Sequence, residues 1–342
     1  MIVLALETSC DDTAAAVIAD GRVASNVVSS QLAHRRYGGV VPEIASRAHQ
    51  RYVVPIVRNA LESAAVEASS VDAVAATYGP GLAGSLLVGL SFAKAFAAAR
   101  TIPFVGVNHL DGHLYSPFVD RDPVFPFLAL VVSGGHTELI VVQNWTSRRR
   151  IGRTRDDAAG EAFDKVARIL GLTYPGGPAI ESLARHGRSD FHAFPRTTLA
   201  GYDYSYSGIK TSVLYHIRGI PEELRSAYLK DHAADIAASF QAAMVDMTLA
   251  PVEKALRDTN IRNVALSGGV SSNAAVREAA KRICAEAGAR LSIAPAGLRT
   301  DNAAMIGLVA YNFVVSGQTT PLSLTVDPAA PLVADPPTGQ TV

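Results

Sequence analysis

Apolar residues recur along the first part of the chain in two patterns. Short β-branched runs bounded by polar turns predict strands, and longer segments with apolar positions three and four apart predict helices. The predicted strands are residues 2–6, 14–18, 23–28, 71–77 and 104–107. The predicted helices are residues 47–65 and 82–99, followed by a helix that carries His109 and His113.

The second part of the chain repeats this order. Its predicted strands are residues 127–132, 138–142, 264–266 and 290–293. Its predicted helices are residues 158–170, 179–186, 208–217, 222–257, 273–287 and 302–315. Strands followed by alternating helices and strands, occurring twice, predict a duplicated mixed α/β architecture with two lobes.

Prolines 117, 123 and 126 mark the predicted boundary between the lobes. We predict an N-terminal lobe at residues 1–123 and a C-terminal lobe at residues 124–301, with a helix at 302–316 packing back on the first lobe. The proline-rich tail at residues 317–342 is expected to be ordered only in part. A ligand is expected in a cleft between the two lobes.

Composition is typical of a folded protein without a global charge bias. Of 342 residues, 49% are hydrophobic and 18% are charged, which excludes disorder for most of the chain. The 31 basic residues balance the 31 acidic ones, so any contact with a polyanion requires a local patch. Five arginines within residues 148–155 form the densest basic patch, which is a candidate phosphate-backbone contact or a solvated face.

Cysteine content and hydropathy indicate the compartment. Cys10 and Cys284 are the two cysteines of the chain and no C-x-x-C pair occurs, which favours a reduced, cytoplasmic protein over a disulfide-stabilised one. The first residues lack the basic region of a signal peptide. Residues 82–99 are the best membrane candidate, but Lys94 and many small residues favour a packed core helix. We therefore expect no membrane partner.

Two glycine-rich turns follow predicted strands. One comprises Val132, Ser133, Gly134, Gly135 and His136, and the other comprises residues 267–273. Because glycine has no Cβ, such a turn lets backbone N–H groups approach a phosphate closely. Two turns of this kind predict a nucleotide site.

Acidic residues cluster where the first strand ends. Glu7, Asp11 and Asp12 lie within six residues of one another. Such carboxylates can simply solvate a turn. Beside a phosphate turn, they can also act as a general base or contact a metal-bound water.

His109 and His113 are the sharpest local candidates for metal ligands. Residues four apart share one face of a helix, so both imidazoles can reach one ion. Asp301 is a candidate third ligand, although a residue directly before a predicted helix can also be its N-cap. Two histidines and a carboxylate suit Fe(II) or Zn(II). Leu110 stands where a zinc protease of the H-E-x-x-H type needs its glutamate, which argues against that activity.

Two further segments carry candidate ribose contacts. Asp164 lies on a predicted helix, and Gly176 and Gly177 lie in a predicted loop before Glu181. A carboxylate at these positions can accept hydrogen bonds from ribose hydroxyls, and the glycines permit close approach of a ligand. The alternative is an ordinary amphipathic helix followed by a loop.

Nine segments of the chain, taken together and in order, resemble the motifs of one family. They are residues 6–13, 39–47, 79–82, 108–113, 132–136, 156–165, 174–178, 204–211 and 267–273. The resemblance extends from residue 2 to about residue 312 and is to the TsaD (Gcp/Kae/Qri) family of tRNA threonylcarbamoyladenosine transferases. Many motifs in register are far more specific than any one of them.

The resemblance implies an ASKHA fold, the duplicated RNase H-like architecture of actin, with two lobes. It implies transfer of a threonylcarbamoyl group from threonylcarbamoyl-AMP to N6 of the tRNA adenosine 3′ to the anticodon, in tRNAs that read codons beginning with A. A small-molecule kinase or ATPase of the same fold is the alternative activity, since paired Ser-Gly-Gly turns would serve it equally well.

The resemblance also implies specific residue roles and partners. The metal ligands are His109, His113 and Asp301, with Fe(II) favoured and Zn(II) as the alternative. The adenylate contacts are Val132, Ser133, Gly134, Gly135, His136, Asp164, Gly177, Glu181 and Asn273. The choice of general base does not come from the resemblance: from the acidic cluster itself, Asp11 is the candidate and Glu7 is the second candidate. The expected partners are tRNA, a TsaB-like protein and a TsaE-like ATPase.

Overall fold

The computed structural model describes residues 1–37, 39–119, 121–145 and 147–332. The strands are β1 Ile2–Glu7, β2 Asp12–Ala19, β3 Arg22–Ser30, β4 Ala73–Gly79, β5 Phe104–Asn108, β6 Phe127–Val132, β7 Thr137–Val142, β8 Arg148–Arg153, β9 Asn263–Ser267 and β10 Arg290–Ile293. The helices are α1 Pro42–Ser63, α2 Ala83–Arg100, α3 His109–Tyr115, α4 Ala159–Ile169, α5 Gly176–Ala184, α6 Ser207–Arg218, α7 Glu222–Thr259, α8 Ala274–Glu286 and α9 Ala303–Val315.

The chain divides into two compact units. Unit 1 comprises Met1–Pro123 and the chain from Thr300 onward, and unit 2 comprises Val124–Arg299. The sheet of unit 1 has the order β3-β2-β1-β4-β5, and the sheet of unit 2 has the order β8-β7-β6-β9-β10. In each sheet the first strand pairs antiparallel with the second and parallel with the fourth. The predicted duplication of a mixed α/β architecture is therefore confirmed.

The two faces of the unit 1 sheet are covered by different helices. Leu4 and Leu6 are fully buried in one cluster with side chains of α1 and α2. Ala5 points to the opposite face because side chains alternate along a strand. There it meets α9, where a Cβ built on Gly307 would lie 3.0 Å from the Ala5 Cβ and 2.6 Å from Ile18 Cγ1. Glycine at position 307 thus lets the last helix lie directly on the sheet.

Unit 2 has its own core. Buried side chains of β6 and β7, such as Leu130 and Leu139, pack with those of the helices α4 to α8. Phe163 of α4 and Phe240 of α7 are fully buried with ring centroids 5.3 Å apart. Burial of side chains this large supplies much of the apolar stabilisation of the unit.

The chain after α9 is fastened along the sheet of unit 1 as far as it is described. Thr320 N donates to Phe104 O at 2.8 Å, Asp327 N donates to Tyr78 O at 2.9 Å, and Leu324 O accepts from Lys94 Nζ at 2.9 Å. The first two bonds satisfy carbonyl groups of β5 and of the end of β4, which would otherwise need water, and the third ties the tail to α2. Of the tail predicted at residues 317–342, residues 333–342 lie outside the described part.

Three elements differ from the sequence prediction. Strand β8 occupies the arginine-rich segment, for which the sequence predicts no element; an edge strand exposed on one side accommodates such residues. Helix α1 begins at Pro42 and not at residue 47, because proline fits the first turn, where its missing N–H removes no helical bond. Helix α5 begins at Gly176, inside the segment predicted as a loop.

Hydropathy gives a separate result for the described helices. None of them, α2 included, combines the length and the apolar character needed to cross a bilayer.

Candidate metal centre and nucleotide-binding turns

Helix α3 holds the two histidines in unit 1. Asn108, the last residue of β5, is its N-cap, and the Asn108 Oδ1 accepts from Leu110 N at 2.9 Å. The helix starts at His109, so His113 lies one turn later on the same face. Both imidazoles are buried, and their ring centroids are 4.7 Å apart in an edge-to-face arrangement.

Close packing of α3 on α9 brings the third candidate ligand to this pair. A Cβ on Gly112 would lie 2.8 Å from Met305 Cγ, so glycine permits this contact between the helices. Asn302 caps α9, with its Oδ1 accepting from Met305 N at 3.0 Å. The alternative role of Asp301 as that N-cap is therefore wrong, and Asp301 lies one residue before the cap.

The three side chains converge on one point. Asp301 Oδ1 lies 3.1 Å from His113 Nε2 and 3.5 Å from His109 Nε2. One ligand atom of each residue lies within 4.8 Å of the others. Two imidazole nitrogens and one carboxylate oxygen at these separations fit a divalent metal ion.

The pKa of His109 reflects the same convergence. Burial alone would lower it, but the carboxylates of Asp301 and Glu7 outweigh burial and raise the pKa to about 9. An imidazolium cannot coordinate a cation, so metal binding must release this proton.

Glu7 lies beneath His109 and is fully buried at the end of β1. Its Oε1 accepts from Ser9 N at 2.5 Å, and its Oε2 accepts from Thr77 Oγ1 at 2.6 Å and lies 3.0 Å from His109 Nδ1. Burial alone would raise the pKa of this carboxyl, but the His109 imidazole outweighs it and lowers the pKa below its ordinary value. Both oxygens of the Glu7 carboxylate therefore accept hydrogen bonds within the protein.

The turn after Glu7 contains the other acidic candidates. Asp11 and Asp12 are both half-buried. Burial, reinforced by neighbouring carboxylates and opposed by a hydrogen bond from Ser30, raises the pKa of Asp12 to about 7. Burial and the neighbouring Asp11 raise the pKa of the Cys10 thiol far above its ordinary value, so Cys10 is a thiol and not a nucleophilic thiolate.

In unit 2 the two Ser-Gly-Gly turns stand side by side. Strands β6 and β9 are adjacent and parallel, with Val131 opposite Ser267, so both turns leave the same edge of the sheet. Gly268 has φ of +87°, and a Cβ there would lie 2.3 Å from Val132 O. Only glycine fits this position, both for its backbone conformation and for the closeness of the neighbouring strand.

In the first turn, Ser133 is held by backbone hydrogen bonds, whereas the two glycines that follow it face open space. Ser133 N donates to His136 O at 2.8 Å, and Ser133 O accepts from Gly160 N at 3.1 Å, which ties the turn to the start of α4. Gly134 and Gly135 are exposed, and a Cβ on either would meet no atom within 4 Å. Their lack of a side chain is not required by the packing of the described residues.

The remaining predicted adenylate contacts have structural partners in unit 2. Asp164 Oδ1 accepts from Gly176 N at 2.7 Å and so tethers the first residue of α5. Glu181 Oε1 accepts from Ala274 N at 3.1 Å, and Asn273 caps the same helix α8. Gly177 resembles Gly134 in having open space around its Cβ direction. The structure therefore brings Glu181 and Asn273 together at the start of α8.

The arginine patch is partly neutralised. Arg150 pairs with Glu138 at 3.2 Å, and Arg155 pairs with Asp203 at 2.5 Å. Ion pairs reduce the positive potential that a phosphate backbone would meet.

Sequence reasoning missed several residues that shape the metal centre. Thr77 and Ser9 hold the Glu7 carboxylate, and Asn302 takes the cap of α9. For Asn302 a signal existed, because asparagine is a preferred N-cap and Met305 follows at the N3 position. Thr77 offered no comparable signal beyond its place near the end of a predicted strand.

Known proteins that resemble this chain over most of its length indicate its family. The family model for TsaD, described as tRNA N6-adenosine threonylcarbamoyltransferase, matches residues 22–308. A protein of that name from Salinibacter ruber is 50% identical over 334 residues, covering 97% of this chain and all of the relative. A protein of the same name from Chlorobium luteolum is 49% identical over 325 residues, covering 91% and 92%.

Solved structures support the fold. HypF from T. kodakarensis aligns with a TM-score of 0.64 at 15% identity, covering 92% of this chain and 48% of that protein. Component A of the (R)-2-hydroxyglutaryl-CoA dehydratase from Acidaminococcus fermentans aligns with a TM-score of 0.54 at 16% identity, covering 92% and 99%. Sequence similarity this low indicates a shared architecture and nothing about activity.

Proposed function

The chain belongs to the TsaD family of tRNA N6-adenosine threonylcarbamoyltransferases, and from that premise we propose how its residues divide the work of the reaction. It is an acyltransferase with the ASKHA fold that transfers a threonylcarbamoyl group to N6 of adenosine in tRNA. The observation that carries this conclusion is the 50% identity to such a transferase over 97% of the chain. The same relatives favour the transferase over the kinase alternative.

We assign the adenylate of threonylcarbamoyl-AMP to unit 2. The amides of Gly134 and Gly135 bind its phosphate, because the two glycines leave the turn open to an anion, while the Ser133 N–H holds the turn closed on His136 O. Val132 and His136 flank this turn. The other contacts to the adenylate come from Asp164, Gly177, Glu181 and Asn273. The side-chain oxygens of Asp164, Glu181 and Asn273 already accept a hydrogen bond within the protein, and each side chain has further acceptor sites for the ligand.

We assign a divalent cation to His109, His113 and Asp301 of unit 1, with Fe(II) favoured and Zn(II) as the alternative, since two imidazoles and one carboxylate suit both. Such a cation supplies Lewis-acid polarisation of a carbonyl and a fixed point for the threonyl carboxylate. The protein contributes the direction of the ligand atoms and their burial.

The remaining task is proton removal. The exocyclic amine of adenine is a poor nucleophile, and it gains most from alignment with an activated carbonyl, worth roughly 7–11 kcal/mol in favourable cases. We assign the proton acceptor to Asp11, which is partly exposed at the turn after β1. A general base needs access to the substrate proton, and Glu7 is fully buried.

The family implies the setting in which this chain works. We propose that it acts on tRNA in the cytoplasm together with TsaB-like and TsaE-like proteins, on the support of family membership. The two unpaired cysteines agree with a reducing compartment.

The test is reconstitution. The chain is incubated with bicarbonate, threonine, ATP, the partner proteins, a threonylcarbamoyl-AMP synthase and unmodified tRNA, and the modified adenosine is detected by mass spectrometry. His109→Ala is expected to abolish transfer while its circular dichroism and its binding of AMP stay as in the wild type. Full transfer by this variant, shown to be folded and metal-free, would contradict the assigned role of the metal.

A further inference from the structure

The surroundings of Glu7 separate it from the other acidic residues of the turn. It is the last residue of β1 and has no exposed surface, and each of its carboxylate oxygens already has a donor within the protein. Strand β4 pairs with β1 on one side and with β5 on the other. This order places Thr77 of β4 and His109, directly after β5, beside the Glu7 carboxylate.

The hydrogen bonds of Glu7 determine which nitrogen of His109 keeps its hydrogen when the ring becomes neutral. A carboxylate can only accept, so His109 Nδ1, 3.0 Å from Glu7 Oε2, must be the donor. Ser9 Oγ, 3.2 Å from the same nitrogen, is a second neighbour able to accept. An imidazole with hydrogen on Nδ1 has its lone pair on Nε2 when neutral. That nitrogen is the one that faces Asp301 Oδ1, at 3.5 Å.

His113 has no such support among the described residues. Its Nε2 lies 3.1 Å from Asp301 Oδ1, but its buried Nδ1 has no hydrogen-bond partner. Of the two histidines, only His109 has a carboxylate hydrogen-bonded to its Nδ1, among the residues that the structure describes.

We propose that Glu7 is a positioning residue for the metal centre, which holds His109 as the Nδ1–H form with Nε2 directed at the cation, and is not a proton acceptor in the transfer reaction. This inference rests on the metal-binding role proposed for His109, His113 and Asp301. A carboxylate behind a ligating histidine fixes the ring orientation and increases the basicity of the ligand nitrogen, and its loss typically weakens metal binding 10- to 100-fold.

The experiment compares Glu7→Gln with a matched control, Thr8→Val. Glutamine keeps the size of the side chain but removes the charge that faces His109. Valine at position 8 removes the buried hydroxyl that donates to Ser85 O at 2.9 Å, a bond outside the contact between Glu7 and His109. Affinity for Co(II) is measured by competition with a chromophoric chelator at fixed pH, together with the visible spectrum of bound Co(II).

We expect Glu7→Gln to bind Co(II) about 10- to 100-fold more weakly with an altered spectrum, and Thr8→Val to bind within about threefold of the wild type. Equal affinity of Glu7→Gln and wild type would overturn the inference, and so would lost transfer activity with unchanged affinity. His113→Ala tests the proposed function separately. If it binds Co(II) as the wild type does, the proposed metal site itself is wrong.

A second measurement needs no variant at position 7. Long-range ¹H–¹⁵N correlation spectra of the Zn(II)-loaded wild type, assigned with His109→Ala, report which ring nitrogen carries hydrogen. We expect His109 to have a protonated Nδ1 and a zinc-bound Nε2. Coordination through Nδ1 would refute the role of Glu7 even if Glu7→Gln does not fold.

Discussion

Gly134 and Gly135 provide a direct test of the phosphate turn, because the packing of the described protein does not require them to be glycine. A Cβ on either residue meets no atom within 4 Å, and neither residue has the positive φ that penalises alanine. Alanine also reduces the entropy of the unfolded chain, so each variant is expected to match the wild type in stability or exceed it by about 0.4–1 kcal/mol. Phosphate binding is expected to respond differently from stability, because a methyl group beside the amides blocks the approach of the phosphate.

The expected loss of binding follows from the bonds removed. Losing one hydrogen bond to a charged phosphate weakens AMP binding by about 1.5–3 kcal/mol, or roughly 10- to 150-fold. Calorimetric titration with AMP gives the affinity, and urea unfolding gives the stability. Unchanged AMP affinity in both variants would refute the assignment of this turn.

Gly160→Ala serves as the control, with the opposite expectation. A Cβ at position 160 would lie 2.7 Å from Ser133 O and 2.8 Å from Gly134 Cα. The turn or α4 must shift to accommodate it, which destabilises the protein by about 1–3 kcal/mol. Stability and AMP affinity therefore fall together in this variant, whereas they separate in the two turn variants.

Three further outcomes are expected. Asp12, with its pKa raised by burial to about 7 from an ordinary 3.8, favours the folded state while protonated and loses that contribution as pH rises through 7. Asp12→Asn should therefore stabilise the metal-free protein by up to about 4 kcal/mol at pH 8 and hardly at pH 4, as measured by urea unfolding. Asp156 accepts four hydrogen bonds at the start of α6, and these donors outweigh its partial burial and lower its pKa. Asp156→Asn should lower the free energy of unfolding by about 1–2 kcal/mol at pH 7, and this difference should become smaller in urea unfolding at acidic pH. In Gly307→Ala, the new Cβ would lie 2.6 Å from Ile18 Cγ1, so the free energy of unfolding should fall by about 1–3 kcal/mol. Co(II) binding should also weaken, because the substitution displaces the helix that follows Asp301.

Local signals account for what the sequence predicted well. The spacing of His109 and His113 and the two Ser-Gly-Gly turns are properties of a few neighbouring residues, and the structure places them on a helix and at strand ends. Asp301 had two interpretations from the residues alone, a metal ligand and an N-cap, and only the resemblance to a family favoured the ligand. Its distance from the histidines depends on the packing of α3 on α9, which no local pattern encodes.

Contacts between elements account for what the sequence did not predict. The pairing of Glu7 with His109 depends on the lateral order of β1, β4 and β5, which is a property of the sheet. The sequence predicts Gly176 as a site of ligand approach, but a Cβ there would lie 2.6 Å from Asp164 Cα. It is small because α4 and α5 touch at that point. A glycine in a sequence signals close approach without saying whether a ligand or another helix approaches.

The duplicated topology explains why the proposed cation site and the proposed phosphate turn lie at equivalent places in the two units. In each unit the first and fourth strands are parallel neighbours, so the residues that follow them meet at one edge of the sheet. In unit 1 that edge carries the Glu7 carboxylate and Thr77, with His109 following the next parallel strand, and these groups suit a cation. In unit 2 the equivalent edge carries the turns that begin at Ser133 and Gly268, whose amides suit an anion. The topology of the sheet determines where a ligand can bind. The charge of that ligand depends on what the chain places there: acidic and imidazole side chains suit a cation, and exposed backbone amides suit an anion.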